Sequence, residues 1–259
     1  MGKRNVKWSE RTYLRFLRNG RGKGDLAAYK PWITVHDFPS LGKVVRIKGL
    51  TTGRIHHLLS QLEKYFFWEL DNDPLVTDIK EQFPLSLSET LMIAANLDIK
   101  HPIINDFPYV VTTDFFYCKN GEWYAVTVKP SEKLKEKRVR EKFEIERLYW
   151  EKHNISWKIV TEKELSITTA SNIQWLHTGE PFEKLVPSKT MQKKLEGVFL
   201  ELYEDKSIPF TLILDSLEEA CSLCSGTIIQ LFKKMILEEK INCDLRKQIH
   251  TYEPRNLFA

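Results

Sequence analysis

Three polar residues, far apart in the chain, are of types that together do metal-assisted chemistry on a phosphodiester. Asp114 opens Asp-Phe-Phe-Tyr, Lys129 closes Tyr-Ala-Val-Thr-Val-Lys, and Glu63 lies upstream in Leu-Leu-Ser-Gln-Leu-Glu-Lys. Cleaving a phosphodiester requires an activated water and stabilisation of charge on the phosphate and the leaving oxygen. Mg²⁺ supplies both and takes carboxylates, carbonyls and waters in octahedral geometry. Asp114 and Glu63 are the expected carboxylate ligands, and the carbonyl of Val128 is a further one. Thr127 is expected to hold a metal-bound water, and Lys129 to orient the water or neutralise the transition state. Mn²⁺ is expected to substitute for Mg²⁺. His56 and His57 precede Glu63 and are weighed as further ligands against an ordinary solvated or capping role. The spacing alone also fits Asp114 as a turn or edge residue and Lys129 as a solvated strand end.

The surrounding pattern says which elements must bring these residues together. Leu58, Leu62, Phe66 and Leu70 recur every four residues, which predicts a helix over 55–70. At about 100° per residue, Glu63 projects about 20° from Leu70 and about 40° from Leu59, beside the apolar stripe. A carboxylate there is desolvated and needs a cation. Asp78 to Pro84 reads as a strand, and 87–97 as a helix capped by Ser86 or Ser88. Val110 to Tyr117 and Glu122 to Lys129 are β-rich runs joined by Asn120-Gly121, a strong hairpin signal. Alternation puts Thr127 and Lys129 on one face. A charged helix at about 133–153 and a strand at Ile155 to Thr161 complete a strand–helix–strand unit, whose two strands should pair in parallel. Pro31 to Lys48 reads as extended, with turns at Pro39-Ser40 and Leu41-Gly42.

Beyond about residue 170 the pattern turns helical, with helices expected at 189–204, 210–222 and 225–239 and a short strand at 240–245. The chain therefore divides into an α/β domain, residues 1–172, and a winged-helix-like domain, residues 173–259. In helix 225–239, Lys233 and Lys234 are balanced by Glu238 and Glu239, which favours protein contact over DNA reading.

The net charge of +4 is unevenly placed. Residues 1–30 hold nine lysines and arginines against Glu10 and Asp25, a net +7, and the remainder sums to −3. A short basic helix over 8–19, with Tyr13, Phe16 and Leu17 on one side, forms part of this arm. Such an arm fits phosphate contact, with Arg15, Arg18, Arg21, Lys23 and Arg54 as candidate DNA-binding residues, or else a solvated tail. No apolar run approaches the roughly 20 residues of a membrane span, and the N-terminus lacks the apolar core of a signal peptide, so a cytoplasmic protein is expected. Four cysteines fit free thiols in a reducing compartment. Cys221, Cys224, Cys243 and His250 were considered as zinc ligands, but their spacing matches no common zinc motif.

Six segments carry a resemblance. They are Gly53 to Glu63, Asp78 to Leu85, Ile99 to Pro102, Thr112 to Phe115, Val126 to Pro130 and Glu144 to Trp150, continued by Ile155 to Glu162. In this order they resemble the TnsA endonuclease family of Tn-seven-like transposons. The resemblance implies a restriction-endonuclease-like mixed sheet flanked by helices, followed by the helical, winged-helix-like domain. It also implies Mg²⁺-dependent cleavage of the 5′ strands at transposon ends. The implied partners are double-stranded DNA at those ends, a TnsB-type DDE transposase and a TnsC-type AAA+ regulator. The family's helical acid falls on Glu63, its strand acid on Asp114 and its lysine on Lys129. Thr127 departs from the Gln or acid often found two residues before the lysine. Two other readings stay open: another nuclease of this fold, in restriction or repair, and a non-catalytic DNA-binding adaptor.

Overall fold

The computed structural model describes residues 7–37 and 44–249, so Lys3, Arg4, the turns at 39–42 and His250 lie outside the described residues. Residues up to Ser166 form one compact unit, and those from Ile167 onward form a second. The division precedes helix α5 (Ile167–Leu176), so the expected 172/173 boundary falls inside that helix. The helix packs on α9 (Thr227–Leu237) and belongs to the second unit.

The first unit contains α1 (Glu10–Arg18), β1 (Val45–Lys48), β2 (Ile55–Leu58), α2 (Gln61–Asp71), β3 (Val76–Pro84), α3 (Leu87–Asn96), β4 (Ile103–Ile104), β5 (Phe107–Pro108), β6 (Thr112–Lys119), β7 (Glu122–Val128), α4 (Lys137–Lys152) and β8 (Ser156–Val160). The central sheet has the order β3-β6-β7-β8. Its first three strands are antiparallel, and β7 and β8 are parallel, as the strand–helix–strand pattern requires. Asn120 and Gly121 both have positive φ, +52° and +79°, the geometry a two-residue hairpin demands. Asn154, at φ +55°, turns the chain from α4 into β8.

The predicted helix over 55–70 is two elements. Residues 55–58 form β2, paired with β1, and the helix begins at Gln61 behind a Ser60 cap. The four-residue recurrence of leucine extends past the helix because Leu58 is buried from a strand instead. Helix α2 covers one sheet face: the Phe66 ring lies 5.3 Å from Phe115 and 6.3 Å from Tyr117. Helix α4 covers the other, with Trp150 stacked 4.9 Å from Phe116 and 5.8 Å from Phe83.

The basic N-terminal stretch is bound into the fold from Trp8 onward. Trp8 and Phe16, each 1% exposed, pack with Trp32, Ile33 and Val110. Arg21 donates twice to Asp37, at 2.6 and 3.0 Å, and once to the Trp32 carbonyl, while its guanidinium lies 3.7 Å from the Phe16 ring centre. The Arg54 side chain is buried and grips Glu81 with both terminal guanidinium nitrogens and the Ile79 carbonyl with one of them. Both arginines expected to contact phosphate are thus engaged within the fold. An arginine with a carboxylate and a backbone carbonyl already in its fork has little left to offer DNA. Arg15, Arg18 and Lys23 are exposed.

Glu81 is the hub that ties β2 to β3. Besides Arg54, it bonds His56 Nδ1 at 2.9 Å and accepts the His57 backbone N–H at 3.0 Å. Burial pushes its pKa up, but His56 and Arg54 outweigh this and hold it at about 2. His56 turns its other nitrogen to the Thr52 hydroxyl, and His57 Nδ1 accepts from the Val35 N–H. Both histidines are thereby occupied in the framework.

The second unit comprises α5, α6 (Phe182–Leu185), α7 (Lys189–Glu204), α8 (Phe210–Ala220) and α9, around Leu195, Phe199, Phe210, Ile213, Leu231 and Phe232. Helices α5 and α6 had no clear sequence signal. The strand expected at 240–245 is absent among the described residues, so no wing is present there and the unit is helical. Lys233 is buried, donates to the Thr178 carbonyl at 2.8 Å and lies 4.5 Å from the Trp175 ring. Lys234 pairs with Glu196 and Glu238.

Removing one partner of a buried ion pair strands the other charge. Arg54→Met is therefore expected to cost about 3–5 kcal/mol in urea unfolding. A stable Arg54→Met protein with weakened DNA binding would instead return this arginine to the DNA surface.

Candidate active site

Glu63 is the third residue of α2. Ser60 Oγ accepts the Glu63 N–H at 3.1 Å, and Glu63 Oε2 reaches back to accept the Leu59 N–H at 2.9 Å. This resembles a capping box and fixes the carboxylate at the helix entry, only 6% exposed.

Asp114 reaches the same place because the pleat of the sheet is broken. On β6, Phe115 and Tyr117 face α2, whereas Phe116 stacks on α4 residue Trp150. Strict alternation would send Thr113 to the α2 side with Phe115. Instead the Thr113 hydroxyl donates to Glu146 of α4 at 2.6 Å and accepts from Trp150 Nε1. The interruption falls at Asp114, and β3 is interrupted at the residue opposite. The ladder pairs Glu81 with Phe115 and Phe83 with Thr113 and skips Gln82, which has φ +49°. Gln82 Nε2 donates to Asp114 Oδ1 at 3.0 Å, and the Val128 N–H donates to Oδ2 at 2.9 Å.

Lys129 follows the last residue of β7. Its N–H bonds the Val160 carbonyl at 2.9 Å, so β8 holds the strand end in place. Its charge acts on both carboxylates. Glu63 is pushed up to about 8, first by burial and then by the negative charge of Asp114, with Lys129 pulling the other way. Asp114 is also raised, by burial, against the opposing effects of the Val128 N–H and Lys129. The three residues singled out from sequence thus act on one another electrostatically, beside the inner strands β6 and β7.

Thr127 does not join them. Its hydroxyl donates to Glu146, on the α4 side of the sheet, so its proton is not free for a water beside Asp114. Glu146 is a residue the sequence reading missed. It is 2% exposed, and a single oxygen, Oε1, accepts from Thr113, Thr127 and Trp157. It bolts β6 beside Asp114 and β7 beside Lys129 onto α4. Burial raises it to about 7. Its signal in the sequence was an acid one helical turn before Trp150 on an apolar face, but charged residues dominate that helix and hide it.

Two buried carboxylates, both raised chiefly by burial and Glu63 further by the charge of Asp114, with the Lys129 charge acting on both, make a donor set that fits a hard divalent ion. No third His, Cys, Asp or Glu among the described residues completes a cluster, so any remaining ligands would be carbonyls and waters. The cysteines are free thiols, and the zinc considered for them finds no such cluster among the described residues.

Both acids hold a proton more tightly folded than unfolded. Their contribution to the stability of the metal-free protein is therefore full below the ordinary carboxylate range and is lost as pH rises from about 4.5 towards 8, opposite in sign to that of Glu81. Glu63→Gln removes one of the two charges. By calorimetry it is expected to melt several degrees above wild type at pH 8, with the difference closing by about pH 4 and on addition of Mg²⁺. Equal melting temperatures at pH 8 would mean that the two carboxylates do not repel.

Comparison with known proteins covers the resembling segments from Asp78 onward, while Gly53 to Glu63 precedes the residues that the family descriptions match. A family described as TnsA-like endonuclease N terminal matches residues 73–162, and one described as TnsA endonuclease C terminal matches residues 164–245. The transposon Tn7 transposition protein TnsA of Escherichia coli is 44% identical over 181 residues, covering 69% of this chain and 66% of that protein, just under two thirds of its length. With both family halves matched in order around the sheet and helices described above, the chain belongs to the TnsA endonuclease family.

Proposed function

We propose that the chain is a metal-dependent DNA endonuclease subunit of a heteromeric transposase, cleaving the 5′ strands at transposon ends for cut-and-paste transposition. The observation that carries this reading is the meeting of Glu63, Asp114 and Lys129, from a helix entry and two strands, in a chain of the TnsA family. Glu63 and Asp114 would hold Mg²⁺, or Mn²⁺ in its place, with the Val128 carbonyl as a further ligand. When bound, the ion supplies Lewis-acid stabilisation of the phosphate and a more acidic water.

The chain's own groups do the rest. The Leu59 and Val128 N–H groups fix the two carboxylates. Lys129 places a positive charge where the scissile phosphate gains negative charge. Lys142 and Arg138 of α4 extend that field: Lys142 is held below the usual lysine range by partial desolvation and by the charges of Arg138 and Lys129. Cations crowded in this way favour an incoming phosphate, and Arg15, Arg18 and Lys23 offer further exposed charge on the same unit.

The proposed partners are double-stranded DNA at the transposon ends, a TnsB-type DDE transposase and a TnsC-type AAA+ regulator, with the reaction taking place in the cytoplasm. No helix among the described residues is long and apolar enough to cross a membrane.

With the transposase and transposon-end DNA, Asp114→Ala and Lys129→Ala are each expected to lower Mg²⁺-dependent 5′-strand nicking at least about 100-fold while DNA binding persists, a loss of the size seen when a preorganised charge is removed. An active Asp114→Ala protein would refute the assignment. Partner-free cutting of generic duplexes would move the protein to restriction or repair. Lys142→Glu should weaken binding to all DNA sequences alike and flatten the dependence of affinity on salt.

A further inference from the structure

Gln82 combines features that rarely occur together. It is 3% exposed in the middle of β3, yet its φ is +49°, the left-handed region that a residue with a long side chain seldom enters. Its carbonyl is turned away to accept the Trp32 N–H at 3.2 Å, and the β3–β6 ladder is interrupted at this position. Its side chain is held at both ends. Oε1 accepts from the Thr112 hydroxyl at 3.1 Å, and Nε2 donates to Asp114 Oδ1 at 3.0 Å. While Asp114 is ionised the amide is oriented with its N–H towards that carboxylate, because an ionised carboxylate accepts and cannot donate.

Sterically unfavourable backbone persists where the surroundings over-determine it, and such sites cluster at functional centres. Here the left-handed residue interrupts the pleat opposite Asp114 and brings an amide to that carboxylate. With the Val128 N–H on Oδ2, each Asp114 oxygen has one donor, which leaves the carboxylate oriented and its remaining lone pairs free. Thr127, the strand residue from which such a polar group would be expected, points to Glu146 instead.

We infer that Gln82 is a positioning residue of the nuclease centre: its amide, delivered by a left-handed break in β3, sets the orientation in which Asp114 receives a divalent cation. The inference rests on the endonuclease reading above.

The test is Mn²⁺ titration by calorimetry on the full chain, with melting temperature measured in parallel. Gln82→Gly relieves the backbone and removes the amide. Gln82→Asn tolerates the left-handed backbone and keeps an amide one methylene too short. Both are expected to bind Mn²⁺ about tenfold or more weakly, as when an outer-shell partner is lost, with the Gly variant melting at or above wild type. Gln82→Glu keeps the reach and loses the donor. It should melt below wild type without metal and recover when Mn²⁺ is added.

Wild-type Mn²⁺ affinity in both the Gly and Asn variants, while Asp114→Ala abolishes binding, would overturn the role of Gln82 and leave the nuclease reading intact. An affinity loss matched by a lowered melting temperature in both variants would make Gln82 merely structural and overturn the inference too. Absence of Mn²⁺ binding by wild type, or Asp114→Ala binding like wild type, would overturn both readings.

Discussion

Two buried carboxylates, with the Lys129 charge acting on both, set the terms for the first unit. Among the described residues neither Glu63 nor Asp114 is paired with an arginine, and burial alone would favour their protonation. What holds them together is backbone: the Leu59 and Val128 N–H groups each donate to one of them. Those donors exist because α2 begins at Gln61 and because β7 lies beside β6 in the register fixed by Asn120-Gly121. A centre built this way stores electrostatic cost in the metal-free protein and releases it when positive charge arrives.

The same unit shows how environment separates chemically equal groups. Glu81, Glu146 and Glu63 are all buried. Glu81 has a guanidinium and an imidazole against it and stays ionised far into acid. Glu146 has three neutral donors on one oxygen and rises to about 7. Glu63 faces another carboxylate and rises to about 8. The first ties β2 to β3, the second ties the active strands to α4, and the third is left for chemistry. Three buried glutamates, on α2, β3 and α4, thus differ in protonation through their partners alone.

The arginines divide in the same way. Arg21 and Arg54 contribute to the basic count of the sequence, yet both are spent on buried carboxylates and backbone carbonyls. Arg15, Arg18 and Lys23 keep their charge at the surface. Net charge over the first 30 residues therefore overstates what is available to phosphate. Lys142 of the charged helix α4 is held below the usual lysine range by partial desolvation and by the charges of Arg138 and Lys129, so that helix adds to the positive charge around Lys129.

Much of the architecture could be read locally. The Asn120-Gly121 turn, the Ser86 cap, the four-residue recurrence in α2 and the strand–helix–strand unit around α4 all follow from short-range sterics and periodicity, which act within a few residues. Glu63, Asp114 and Lys129 stood out by residue type and by the family resemblance rather than by any local rule, since few residue types support metal-assisted phosphodiester chemistry. Tertiary structure decided the rest. It split the expected helix at Ser60, turned Thr127 towards Glu146, spent Arg54 on Glu81, left the second unit helical without a strand among its described residues, and set Gln82 opposite Asp114. Each of these depends on a partner tens of residues away. A side chain's charge is written in its type, but whether that charge is paired, buried or free is settled only by what packs against it.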